Sequence, residues 1–150
     1  MQYSLVNEEK HIAGNNLVFI DRSLNMPLIG NVFIGILDRG SSLLQVRATT
    51  LCNMSCTFCS TDGGPFSKFH KTHFIVEPNY LIEELKKVSE YKSYNLHYNI
   101  DSVGEPTSYP YLVELIKGIS SIPKVVKISM QTNGTFLSKE FVDKICEAGL

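Results

Sequence analysis

Residues 43–59 read LLQVRATTLCNMSCTFC, and how this stretch is understood decides how the rest of the chain is parsed. Leu43 to Thr49 are a strand candidate, a short apolar and β-branched run that ends where small and polar residues begin. The loop that follows carries Cys52, Cys56 and Cys59 at spacing C-x3-C-x2-C, so three of the chain's four cysteines fall within eight residues. Three thiols are one ligand short of the four that close a structural metal site. Either a fourth ligand comes from elsewhere in the chain, or the open position is itself used.

Toward the C-terminus, strand and helix signals alternate. Leu81, Leu85 and Val88 recur at helical spacing after Pro78-Asn79. Leu96 to Ile100 (LHYNI) is a second strand, ending at Asp101. Pro110 suits the first turn of a second helix with the stripe Leu112, Leu115, Ile116 and Ile119. Val125 to Met130 (VVKISM) is a third strand. Ser138 is placed to cap a third helix carrying Val142, Ile145 and Cys146 on one face, which makes Cys146 an expected buried thiol. Strand–helix alternation of this kind predicts an α/β fold with a parallel sheet. Such folds place their chemistry beyond the carboxyl ends of the strands. Here those positions hold the cysteine loop, Val103-Gly104-Glu105-Pro106 and Thr132-Asn133-Gly134, and the expectation is that all three meet on one face.

Toward the N-terminus the pattern changes. Residues 1–42 carry two short apolar runs, Leu17 to Ile20 and Val32 to Leu37, before the turn-forming Asp38-Arg39-Gly40-Ser41-Ser42. They are expected to form a β-rich N-terminal extension, with residues 43–150 as a separate domain. Neither an internal repeat nor a low-complexity tract is present.

Composition sets the outer bounds. With 150 residues, 43% hydrophobic and 19% charged, the chain has the make-up of an ordinary globular domain. A net charge of −1 gives no global reason to expect nucleic acid or a membrane surface as partner. No run approaches the roughly 18 apolar residues of a membrane helix. The opening MQYSLVNEEKHIAG lacks the basic-then-apolar layout of a signal peptide, so a cytoplasmic setting is expected. Thiols stay reduced there, and clustered cysteines bind metal more often than they pair.

Two metal readings follow from the cysteine loop. A 4Fe–4S cluster held by three thiolates leaves one iron free to take an exogenous molecule. Alternatively, His70 or His73 completes a Cys3His zinc site, although a third cysteine so soon after the second is awkward for a zinc finger. Residues 63–73 (GGPFSKFHKTH) read as a mobile surface loop. Arg47 has the character of an ion-pair member, and Asp101 that of either a substrate-binding or a salt-bridging acid.

C-x3-C-x-Φ-C with Phe58 at the aromatic position resembles the signature of the radical S-adenosylmethionine (radical SAM) superfamily. Gly104-Glu105-Pro106 is similar to that family's Gly-Gly-Glu loop, with Val103 in place of the first glycine, and Gln131-Thr132-Asn133-Gly134 to its Thr-Asn-Gly stretch. The run DRGSSLLQVRATTLCNMSCTFCSTDGGP, Asp38 to Pro65, is similar to a group of archaeal members of undefined activity. This resemblance implies that residues 43–150 are the N-terminal half of a radical SAM core domain, the first three strand–helix units of a partial (β/α)6 TIM-like barrel. It implies that Cys52, Cys56 and Cys59 ligate the 4Fe–4S cluster and that S-adenosyl-L-methionine takes the open iron. Phe58, Gly104, Glu105, Thr132 and Asn133 are the expected cofactor-binding residues, with Glu105 facing the methionyl ammonium. A reduced ferredoxin or flavodoxin is the implied electron donor, and the rest of the barrel on a separate chain is a possible partner. A non-catalytic iron–sulfur or zinc-binding module that completes a partner protein is the alternative.

Overall fold

In the computed structural model, which describes residues 9–10 and 16–150, the strand-forming runs and helical stripes sort into two sheets and three helices. In chain order they are β1 (Glu9–Lys10), β2 (Asn16–Ile20), β3 (Gly35–Asp38), β4 (Leu43–Arg47) and β5 (Thr72–Val76), followed by helix α1 (Pro78–Tyr91) and β6 (Leu96–Ile100). Helix α2 (Leu112–Ser120), β7 (Val125–Met130) and helix α3 (Lys139–Glu147) complete the order. The extension expected over residues 1–42 falls partly at 1–8 and 11–15, outside the described residues.

One sheet has the order β3-β4-β6-β7 and the other β1-β2-β5. β4, β6 and β7 run parallel, so the alternation read from the sequence yields the parallel sheet it predicts. β3 folds back on β4 as an antiparallel hairpin through the Asp38–Ser42 turn, with Leu37 opposite Gln45 and Gly35 opposite Arg47. The sheet is therefore continuous across residue 42.

Residues 72–76 depart from the sequence reading. Thr72 and His73, expected in a surface loop, begin β5, which pairs in parallel with β2 from Asn16–Thr72 to Ile20–Val76. Thr, Phe, Ile and Val suit a strand, but the partner that makes it one lies more than fifty positions earlier. β5 also joins the two sheets. The Val76 N–H donates to the Ala48 carbonyl at 2.9 Å and the Thr50 N–H to the Phe74 carbonyl at 3.0 Å. The chain entering the cysteine loop is thus clamped between β5 and its own sheet.

Helices α1 and α3 start on caps that the sequence supplies. The Glu77 carboxylate accepts from the N–H groups of Asn79 and Tyr80 ahead of α1, and Ser138 Oγ accepts from Phe141 N–H at 3.1 Å ahead of α3. The stripe Leu112, Leu115, Ile116 and Ile119 of α2 is buried as read. On α3 only Ile145 is buried, and Cys146 is exposed rather than buried, because this helix packs through a narrower stripe than its apolar residues allow.

The core lies between the helices and one face of the four-stranded sheet. Leu44, Val46, Leu96, Tyr98 and Ile100 point into it, against Leu81, Leu85, Leu115 and Ile116. Tyr98 is wholly buried, and its hydroxyl meets Ser89 Oγ at 2.7 Å and the Leu85 carbonyl at 3.0 Å. Those bonds satisfy the polar tip of a large apolar side chain. The opposite sheet face carries Gln45, Arg47, His97 and Asn99, each half-buried. Here Arg47, read as an ion-pair member, pairs with Asp101 at 3.0 Å, which gives that acid the salt-bridging one of its two readings.

Candidate functional site

The three loops beyond β4, β6 and β7 do meet, and their contacts are specific. Asn53, next to the first cysteine, donates from Nδ2 to Thr135 Oγ1 at 2.7 Å and accepts on Oδ1 from Asn133 Nδ2 at 3.0 Å. These bonds tie the cysteine loop to the loop after β7. Past the third cysteine, Thr61 Oγ1 donates to the Val103 carbonyl at 2.7 Å, which ties it to the loop after β6.

Glu105 joins the other two loops. Its Oε1 accepts from Thr107 N–H at 2.9 Å, Thr107 Oγ1 at 2.6 Å and Thr132 Oγ1 at 2.5 Å. Its Oε2 accepts from Asn133 N–H at 2.7 Å. Burial pushes the Glu105 carboxyl up, but the hydrogen bonds from Asn133, Thr107 and Thr132 outweigh it and hold the group below its ordinary value. Glu105 is therefore an anion 3% exposed, kept charged by the loops it joins.

Gly104 is required by close approach. A Cβ there would lie 2.0 Å from the Leu51 carbonyl oxygen and 2.5 Å from that of Thr50. The backbone contact is sealed by Glu105 N–H donating to Leu51 O at 2.6 Å. Val103, in place of a glycine, is buried and keeps a negative-φ backbone. The Phe58 side chain is 88% exposed.

Cys52 and Cys56 are half-buried and Cys59 is exposed, all three as free thiols. Cys59 Sγ lies 3.2 Å from Thr61 Oγ1. Hydrogen bonding with the Thr61 side chain, then with the Gly63 backbone, lowers the pKa of this thiol. Burial pushes the Cys52 thiol up, and the negative charges of Glu105, Cys59 and Cys56 add to that rise. Negative groups thus gather here. A donor set of this kind suits a cationic body bound between the sulfurs.

Neither histidine considered for zinc joins the cysteines. His73 is buried in β5, and His70 lies against Phe33 with ring centres 5.6 Å apart. Among the described residues, no three His, Cys, Asp or Glu form a group that could hold a single metal ion.

The sequence reading missed Asn53, Thr61, Thr107 and Thr135, which brace the site, and Ser102, whose buried Oγ finds no partner among the described residues. Proximity to the cysteines was the available signal for Asn53 and Thr61. Thr107 and Thr135 had none, since each acts through a partner distant in sequence or through a cap.

The model of the radical SAM superfamily matches residues 46–150, and the chain belongs to that superfamily. An uncharacterized protein of Methanocaldococcus jannaschii is 38% identical over the whole of this chain, which spans 35% of that protein. The GTP 3′,8-cyclase of Alkaliphilus metalliredigens is 30% identical over 75% of this chain and 33% of its own length. That of Aquifex aeolicus is 29% identical over 76% and 34%. The chain thus spans about a third of the length of these relatives. No solved structure gives a significant match.

Proposed function

We propose that this chain carries the cluster-binding part of a radical SAM enzyme, the first three strand–helix units of a partial (β/α)6 barrel. Cys52, Cys56 and Cys59 would hold a 4Fe–4S cluster, and S-adenosyl-L-methionine would bind at its open iron. When bound, that pair supplies one-electron reductive cleavage of the sulfonium, giving methionine and a 5′-deoxyadenosyl radical able to take hydrogen from a substrate. The observation that carries this reading is the convergence of the cysteine loop with Glu105, Thr132 and Asn133 through Asn53 and Leu51.

The chain's own residues have distinct tasks in it. The backbone N–H groups of Gly63, Thr61 and Asp62 stabilise the Cys59 thiolate as a ligand. Gly104 lets the loop after β6 lie directly on the strand that leads into Cys52. Glu105 supplies a fixed negative charge beside the cysteine loop, which suits the ammonium group of an amino acid. Because Thr107, Thr132 and Asn133 already occupy its oxygens, the carboxylate acts chiefly as a rigid anion, with the remaining Oε2 lone pair available for one further contact. Phe58 would contribute through its backbone, since its ring points to solvent.

A reduced ferredoxin or flavodoxin fits the need for a single-electron donor, and the remaining barrel strands would come from elsewhere in the complete enzyme. Anaerobic reconstitution with iron and sulfide tests the cluster: about four irons per chain and a broad visible shoulder are expected. Stoichiometric zinc without sulfide would overturn it. Formation of 5′-deoxyadenosine under a strong reductant separates a catalytic chain from a cluster-binding module, which would show the cluster and no nucleoside.

A further inference from the structure

We infer that the polar face of the four-stranded sheet is a binding site for a small, acceptor-rich anion that also carries hydroxyl groups. The inference starts from strand register. Gln45 pairs with Asn99, and Asn99 with Ser129, across three adjacent parallel strands. His97 pairs with Lys127 one step earlier in the same ladders. Side chains two residues apart share a face, so these residues form one continuous polar surface, back to back with the apolar face under the helices.

These residues are already organised. His97 Nε2 lies 2.7 Å from Ser129 Oγ, which donates to Asn99 Oδ1 at 2.6 Å. Gln45 Nε2 donates to one oxygen of Asp101, and Arg47 Nε to the other at 3.0 Å. A second Arg47 bond, from Nη1, reaches the Val32 carbonyl. A sheet face destined for a packed interior is lined with branched apolar side chains, as the other face is here. A face of pre-set amides, an imidazole and cations is costly to cover with apolar groups and suits a polar occupant.

The remaining valences define that occupant. Gln45 Oε1 is buried and finds no hydrogen-bond partner among the described residues. Its orientation is fixed, because turning the amide over would set a carbonyl against the Asp101 carboxylate. The occupant must therefore offer at least one donor there, as a hydroxyl does. Donors prevail elsewhere: Asn99 Nδ2 and Lys127 Nζ make no protein hydrogen bond among the described residues. Asp101 is matched by Arg47, which leaves Lys127 as the uncompensated charge. Lys127 acts across this face, since its charge adds to burial in lowering the pKa of His97. A carboxylate or phosphate facing Lys127, on a body bearing hydroxyls, satisfies all of these groups at once.

The face leads directly to the cysteine site. Arg47 ends β4 five residues before Cys52, and Asp101 follows β6 three residues before Gly104. The binding face itself needs no cluster, and only its role as the substrate's seat rests on the function proposed above.

The iron-free 150-residue chain, labelled with nitrogen-15, is titrated separately with glycerate, glycerol 3-phosphate and glycerol. Both anions are expected to shift the side-chain amide signals of Gln45 and Asn99 saturably, with glycerol weaker by roughly tenfold or more. Response to only one anion identifies the acid group as carboxylate or phosphate. Lys127→Met, at an exposed position, is expected to remove the preference for the anions with the backbone spectrum preserved, and Gln45→Leu to weaken all three. No saturable shift, an equal response to glycerol, or unchanged anion binding by Lys127→Met would overturn the site. Failure here with iron–sulfur reconstitution intact would leave the cluster reading standing, and the reverse result would leave this one.

Discussion

The backbone N–H of Asn133 donates to Glu105 Oε2 at 2.7 Å, so a residue after β7 is held by a carboxylate after β6. The bond is charge-assisted and partly buried, and Thr132 Oγ1 reinforces it from the same loop at 2.5 Å. Two loops that a ligand would otherwise have to gather are gathered beforehand.

Glu105→Gln keeps the shape of that side chain and removes its charge. One carboxylate oxygen would become an NH2 group facing donors, leaving Asn133 N–H or the Thr107 and Thr132 groups without an acceptor. The expected loss of folding stability is about 1–3 kcal/mol, read by denaturant unfolding at neutral pH. A variant as stable as the parent would show that the loops do not depend on this anion.

Gly104→Ala tests the backbone approach itself. The new methyl would stand 2.0 Å from the Leu51 carbonyl oxygen, and backbone cannot swing aside as a side chain can. The expected cost is about 1–3 kcal/mol, as for other overpacked sites, together with loss of the Glu105–Leu51 hydrogen bond. Amide exchange at Glu105 would report it: a faster rate is expected in the variant, and an unchanged rate would contradict the contact.

Much of this was legible in the chain, for local reasons. Leu96–Ile100 and Val125–Met130 are strands with the bounds their apolar runs imply, and the α2 stripe is buried residue for residue. The three loops could be placed on one face because strand–helix alternation dictates which ends they occupy. What escaped was set by partners remote in sequence. β5 is a strand because β2 and Ala48–Thr50 pair with it. The loop before it is braced rather than free, since buried Ser67 donates to Asp62 Oδ2 and accepts from the N–H groups of Phe69 and His70. Gly104 matched a motif expected to touch a ligand, yet its smallness is already demanded by the Leu51 carbonyl. Cys146 sits on a helical stripe that pattern alone makes wider than packing does.

His97 gives the chain a pH dependence of known sign. Burial first, and then the charge of Lys127, depresses its pKa below the ordinary 6.5. Below 6.5 the unfolded chain therefore binds this proton more readily than the folded one, so stability falls as pH drops from there to the folded-state pKa. Above 6.5 both states are neutral and the contribution is flat. His97→Gln retains a polar partner for Ser129 and does not titrate. Its unfolding midpoint is expected to change less than the parent's between neutral and mildly acidic pH, and equal slopes in the two proteins would rule the assignment out.

On the proposed function, the cysteines divide into three that would bind iron and one that would not. Cys52, Cys56 and Cys59 share a loop in which each thiolate raises the cost of ionising Cys52, a penalty that a bound cationic cluster would relieve. Cys146 stands exposed on α3, away from that loop. Replacing any one of the three by serine exchanges a soft thiolate for a poor iron ligand, so iron and sulfide after anaerobic reconstitution are expected to fall to a minor fraction of the parent's. Cys146→Ser is expected to reconstitute fully. Loss of Cys59 should weaken binding even where Cys52 and Cys56 remain, because the backbone N–H groups of Gly63, Thr61 and Asp62 are built around that sulfur. Thr61→Val removes the hydroxyl that touches Cys59 Sγ and holds the Val103 carbonyl while keeping the cysteine, and should leave the iron content intact but speed its removal by a chelator. If Thr61→Val loses iron no faster than the parent, the hydrogen bond at 3.2 Å serves the loop and not the ligand.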